Sequence, residues 1–166
     1  MKPNLAAAAI VMLLLPAGAV FAQTPADWDI PFDSRDWKLA AERQEGRTTE
    51  RIYVAPGESE YFWNEKLTVA HQRLAFSPED YLVGFLQYMS DQCRPYTSKP
   101  LVQEANDVLL QWEGNCFVTG EQFEYRRIVA AKDGVHVLAY TVKANRISEP
   151  KREAWLNILR EAKLKN

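Results

Sequence analysis

The chain has 166 residues, of which 47% are hydrophobic and 25% are charged. It carries 20 Lys and Arg against 22 Asp and Glu. This near balance argues against the strongly basic surface typical of proteins that bind nucleic acid or anionic membranes. The length suits one domain with a substantial core.

The first 22 residues have the features of a secretory signal peptide. The positively charged Lys2 precedes an apolar run, Leu5 to Leu15, that is too short to span about 30 Å of hydrocarbon. Small residues at Val20 and Ala22 predict cleavage after Ala22. The alternative, an uncleaved membrane anchor, is disfavoured by the short run, and no later run approaches membrane-spanning length. We therefore expect a soluble periplasmic protein, with release outside the cell as the alternative.

Three strands are predicted at the start of the mature chain. Residues 23–36 look like a leader, and residues 37–166 form a single predicted domain. The strands are expected from turn chemistry and from alternating apolar positions such as Leu67 and Val69. They cover residues 37–44, 48–55 and 65–76.

A helix follows from Ser77. Ser77 and Asp80 form a capping box around a proline in the first turn. The spacing of the next apolar residues is helical, and they are Tyr81, Leu82, Phe85, Leu86 and Met89.

The second half of the domain is predicted to contain three more strands and a closing helix. Residues 94–107 read as a polar connection with two prolines. The strands are expected at 108–118, 122–131 and 135–143, and the amphipathic helix starts at Ser148. The apolar face of that helix comprises Trp155, Leu156, Ile158, Leu159 and Ala162. The predicted fold is therefore α+β, with an antiparallel sheet of about six strands, two helices and the order βββαβββα.

The chain has two cysteines, Cys93 and Cys116, which we predict to form a disulfide. Cys93 continues the helical stripe of Phe85 and Met89, and Cys116 shares a strand face with large apolar residues. That face is formed by Val108, Leu110, Trp112, Cys116 and Val118. A zinc site would need more ligands, and a catalytic thiol would need solvent access. Two free buried thiols are the remaining alternative, which an oxidising compartment disfavours.

No pattern in the sequence indicates an enzyme, a cofactor or a metal site. The two histidines, His71 and His136, stand alone in sequence, so a polar strand residue or a core imidazole is the favoured interpretation of each. Arg126 and Arg127 lie on opposite faces of their strand. They either bind an anion or, as we favour, form ion pairs across strands on a solvated face.

The consecutive aromatic residues Tyr61, Phe62 and Trp63 are the candidate partner surface. Consecutive residues in an extended chain cannot all face one core, so at least one ring should be exposed or covered by the leader that carries Trp28. Surface aromatic residues are enriched where partners dock. Coverage of these rings by the leader or by the closing helix is the interpretation that residue statistics favour, and a partner-contact edge is the hypothesis set against it.

The element order resembles that of PsbP-like folds, which include DcrB-type small bacterial envelope proteins. The segments that carry the resemblance are the strand run from residue 37, SPEDYLVGFLQYM, VLLQWEGNCFV and AWLNILREAKL. The resemblance implies a non-enzymatic accessory or binding module of the cell envelope. We accordingly expect an interaction module whose partner is another envelope or exported protein, and no binding of nucleic acid. The alternatives are an inhibitor or immunity protein against a secreted toxin, a small-ligand-binding protein, and a hydrolase built around His71 or His136.

Overall fold

A computed structural model describes residues 27–30, 35–73 and 77–165. The predicted signal peptide and most of the predicted leader lie outside the described residues. The strands are β1 (Trp28–Asp29), β2 (Lys38–Glu45), β3 (Thr48–Val54), β4 (Glu65–Gln72), β5 (Cys93–Glu104), β6 (Asp107–Cys116), β7 (Gly120–Ala131), β8 (Gly134–Lys143) and β9 (Lys163–Leu164). The α-helices are α1 (Pro78–Gln92) and α2 (Glu149–Glu161).

Strands β2 to β8 form an antiparallel sheet in the order β2-β3-β4-β8-β7-β6-β5. The predicted α+β class and its antiparallel sheet are therefore confirmed, with seven strands in this sheet where about six were expected. The two halves of the sheet meet where β8 pairs with β4, so residues far apart in the chain become neighbours. Strands β1 and β9 form a separate antiparallel pair that joins the predicted leader to the end of the chain.

The additional strand is β5, in the segment that we expected to be a polar connection. That expectation was wrong because β5 lies at the edge of the sheet, where proline is tolerated since half of the backbone amides need no partner. The register shifts between Cys93 and Tyr96 and again between Pro100 and Val102, close to the two prolines, Pro95 and Pro100.

One helix covers each face of the sheet. The capping box is present at the start of α1, where Ser77 Oγ accepts from the Asp80 amide at 3.1 Å. Met89 and Phe85 of α1 pack with Val135 and Val137 of β8, whereas Trp155 and Leu159 of α2 pack on the opposite face. Both faces of β8 are therefore buried, as its almost continuous apolar sequence requires. No helix in the part of the chain that the structure describes is long and apolar enough to cross a membrane.

The predicted disulfide links Cys93 and Cys116. Cys93 caps the C-terminus of α1 and begins β5, and it lies directly opposite Cys116 in the β5–β6 register. The bond therefore ties the end of the helix to the sheet, inside the core that contains Met89 and Trp112. The expected inward position of Val118 was wrong, because β6 ends at Cys116 and Val118 lies in the following turn with 89% of its surface exposed.

Candidate functional site

The connection between β3 and β4 presents two aromatic rings to solvent. Tyr61 is 77% exposed and Phe62 is 82% exposed. The backbone beneath them is held by hydrogen bonds: the Ser59 amide donates to the Phe62 carbonyl at 3.0 Å, and the Phe62 amide donates to Ser59 Oγ at 3.2 Å. The backbone and side-chain amides of Asn64 both donate to the Glu58 carboxylate. The two rings are therefore exposed on an ordered turn.

Trp63, the third residue of the predicted partner surface, is buried. It is 7% exposed and packs with Ile52 and Val54 of β3. The ammonium groups of Lys66 and Lys143 each lie 4.5 Å from the centre of its ring. The expectation of at least one exposed ring is met by Tyr61 and Phe62, whereas Trp63 belongs to the core and does not extend the contact surface.

A second exposed apolar pair lies in the neighbouring β6–β7 turn. Phe117 is 70% exposed, and Val118 follows it. Lys143 links the two connections, because its backbone amide donates to the Asn64 carbonyl at 3.0 Å and its ammonium group donates to the Thr119 carbonyl. We call the four exposed side chains at this end of the sheet the apolar rim: Tyr61, Phe62, Phe117 and Val118.

A cavity of about 400 Å³ lies between α1 and the sheet, adjoining the rim at Val118. This volume falls within the range of small-molecule sites. Its walls combine Phe85 and Tyr88 of α1 with charged side chains from β4 and β7. The cavity therefore combines aromatic and charged side chains in its walls.

Two of the charged groups in the cavity compensate each other. Arg126 Nε donates to Glu124 Oε1 at 2.7 Å, and Thr141 donates to the other carboxylate oxygen at 2.7 Å. Burial opposes ionisation of both partners, but their mutual attraction outweighs it, so the pKa of Glu124 is lowered and the pKa of Arg126 is raised. Arg126 also donates to the Tyr81 hydroxyl and lies 3.8 Å from the centre of the Phe85 ring. This buried pair is held in place from both the sheet and α1.

Lys66 is a further cation of the cavity, attracted by Glu124 and Glu50 without direct contact. Burial lowers the pKa of its ammonium group, and no carboxylate of the described residues lies within the 4.0 Å of an ion pair. Its close contact is the face of the Trp63 ring. The indole N–H of Trp112 lies in the same wall and has no hydrogen-bond acceptor of standard geometry among the described residues, although it contributes to lowering the pKa of Glu124. Because the Trp112 N–H is directed at Glu124, Lys66 is the donor of the cavity that an anionic ligand can contact.

The arginine pair of the sequence does not form an anion site. Arg126 faces α1, whereas Arg127 faces α2 and makes two hydrogen bonds to Asp107 on the neighbouring strand, at 2.6 and 3.0 Å. Arg127 also donates to the carbonyls of Leu159 and Ala162 at 2.7 and 2.6 Å, which satisfies the C-terminal end of α2. Ion pairing of both arginines was therefore predicted correctly. Both pairs are partly buried, however, and the pair of Arg126 with Glu124 lies within one strand.

The two histidines are neighbours, which the sequence did not indicate. His71 of β4 and His136 of β8 are directly opposite in the register, and their rings stack with centres 4.1 Å apart. Asp133, in the β7–β8 turn, approaches both: one carboxylate oxygen lies 2.9 Å from His136 Nε2 and the other 3.4 Å from His71 Nε2. Both histidines lie in strands, as the favoured interpretation had it, but they are not isolated from each other, because β8 pairs with β4 and chain order does not reveal this.

The sequence matches no protein-family model, and a search of curated proteins finds no relative. The resemblance to PsbP-like folds therefore rests on element order and stays a prediction.

Proposed function

We propose that this protein is an exported, non-enzymatic interaction module of the cell envelope that holds another envelope or exported protein at the apolar rim. The observation that carries the proposal is the ordered turn that exposes Tyr61 and Phe62. Exposure of two large aromatic rings to water is unfavourable. A partner that covers them loses little free energy to ordering, because the backbone of the turn is already fixed by hydrogen bonds. Aromatic residues of this kind act as anchors in protein interfaces.

The surroundings of the rim support a protein partner. Phe117 and Val118 add two exposed apolar side chains at the same end of the sheet. Clustered exposed apolar side chains mark interaction sites in soluble proteins. The slight excess of acidic residues gives no attraction to an anionic bilayer. The disulfide fits export to an oxidising compartment, for which we propose the periplasm.

Crosslinking in the native cell envelope, followed by capture through a C-terminal tag, tests the proposal. The variant Tyr61→Ala/Phe62→Ala should lower recovery of a stoichiometric partner by about tenfold or more, because interface anchors typically contribute over 1.4 kcal/mol. The control Val83→Ala removes an exposed apolar side chain from α1 and should keep full recovery. Equal recovery by both variants contradicts the proposal. A secreted toxin as the partner would identify the protein as an inhibitor.

A second candidate function is binding of a small anionic ligand with an apolar body in the α1 cavity. It is favoured by the half-buried Lys66 ammonium, which lines the cavity and makes no ion pair with a carboxylate of the described residues. Anilinonaphthalene sulfonate combines an anion with aromatic rings and serves as the probe. Its fluorescence should rise to saturation with the unaltered protein and with Lys99→Met, an exposed control on β5, but not with Lys66→Met. If the fluorescence of all three proteins rises along the same titration curve, this cavity is not the binding site.

A further inference from the structure

His71, His136 and Asp133 place three metal-ligating groups together at one end of the β4–β8 pair. One ligand atom from each residue lies within 4.8 Å of the other two. A tetrahedral ion with bonds of about 2.1 Å separates its ligand atoms by about 3.4 Å. The two distances between Asp133 oxygens and histidine nitrogens, 2.9 Å and 3.4 Å, are close to this separation. Because the two rings are stacked and nearly parallel, at least one imidazole has to rotate to direct its nitrogen at the same ion.

The backbone fixes the positions of these groups. The histidines occupy paired positions of adjacent central strands, so their separation is set by the sheet. Asp133 is held by the tight approach of Gly134 to β4: a Cβ at Gly134 would lie 2.1 Å from the Gln72 carbonyl. Gly134 also has a φ of +138°, which L side chains rarely adopt. The anchored turn therefore places the Asp133 carboxylate next to the Nε2 atoms of both rings.

The exposure of the three side chains leaves one side open. The imidazoles are 14% and 10% exposed, whereas the Asp133 carboxylate is 62% exposed. Water can thus complete the coordination from the carboxylate side. Imidazole and carboxylate ligands together favour divalent ions of the zinc and copper class over the oxygen-seeking Mg²⁺ and Ca²⁺.

We propose that His71, His136 and Asp133 bind one divalent ion of the zinc and copper class, with water as the remaining ligand. The ion joins β4 to the β7–β8 turn. This site lies on β4, β8 and the β7–β8 turn and is independent of the proposed partner surface.

The test is isothermal titration of the chelator-treated exported protein, purified without a polyhistidine tag, with ZnCl₂ and separately with CuSO₄. We expect saturable binding of one ion per chain. His71→Gln and Asp133→Asn should each weaken it by about tenfold or more, since even groups that only orient metal ligands contribute that much. The control Asp91→Asn alters an exposed carboxylate on α1 and should leave binding unchanged.

Both substitutions change side chains that are at least partly exposed, and circular dichroism of each variant is the check that it folds. The site is supported if the unaltered protein binds zinc or copper and both variants lose that binding. The proposal is overturned if neither ion binds at near-equimolar concentration, or if His71→Gln and Asp133→Asn bind as tightly as the unaltered protein. In that case the histidines and Asp133 serve only to hold the turn by hydrogen bonds.

Discussion

Trp63→Ala distinguishes a core residue from a contact residue. The Trp63 ring packs on Ile52 and Val54, and the ammonium groups of Lys66 and Lys143 each lie 4.5 Å from its centre. Truncation of a buried tryptophan costs about 3–5 kcal/mol, and the two ammonium–ring contacts account for about 1–2 kcal/mol of this. Because the cluster is small, we expect a loss of about 3–4 kcal/mol in the free energy of unfolding.

Urea unfolding followed by circular dichroism measures this loss. The neighbouring Phe62→Ala is the matched control, since it removes a ring that is 82% exposed and should change stability by about 0.5 kcal/mol or less. A loss under about 1 kcal/mol for Trp63→Ala, or equal losses for both variants, would refute the assignment of Trp63 to the core. Weaker partner capture by a stably folded Trp63→Ala would instead return Trp63 to the contact surface.

Three further predictions concern the disulfide, the charged network and a turn. Cys93→Ala/Cys116→Ala, which opens a loop with a sequence separation of 23, should lower the free energy of unfolding in urea by about 3 kcal/mol. Burial opposes ionisation of Glu65, but hydrogen bonds from Lys151, Tyr140 and Arg35 lower its pKa below 4.5. The ionised Glu65 therefore contributes to the free energy of unfolding above pH 4.5, and this contribution is lost as the pH falls through the lowered pKa. Acid unfolding of Glu65→Gln, compared with the unaltered protein, should therefore lack this component; identical pH profiles would contradict it. Gly134→Ala should lower the thermal midpoint by about 4 °C or more, because the new methyl group meets a backbone carbonyl; an unchanged midpoint would show that the turn relaxes freely.

Local signals in the sequence predicted much of the fold. The Ser77–Asp80 capping box and the spacing of Phe85 and Met89 identified α1, and the alternation around Cys116 identified the face that meets it. The disulfide followed from these two placements because both depend on short-range periodicity. Edge strand β5 was missed because its polar residues and prolines are also those of a loop, and only its position in the sheet separates the two.

The candidate sites were predicted less completely because they depend on long-range pairing. His71 and His136 meet through the β4–β8 pair, and Asp133 reaches them only from the following turn. The sequence contained a usable signal, the Asp-Gly turn immediately before the histidine strand, but not the identity of the partner strand. Similarly, the three consecutive aromatic residues indicated that they cannot all be buried. They did not indicate which one is buried, and the structure shows that it is Trp63.

Site-specific photo-crosslinking tests the central claim, that the ordered turn contacts a partner. Phe62 is replaced by p-benzoylphenylalanine in the exported protein in living cells, and the same residue is placed at Val83 on α1 as the control. We predict a discrete covalent adduct with a second protein from position 62 and none from position 83. No discrete adduct from position 62, or the same adducts from both positions, would contradict the proposed function.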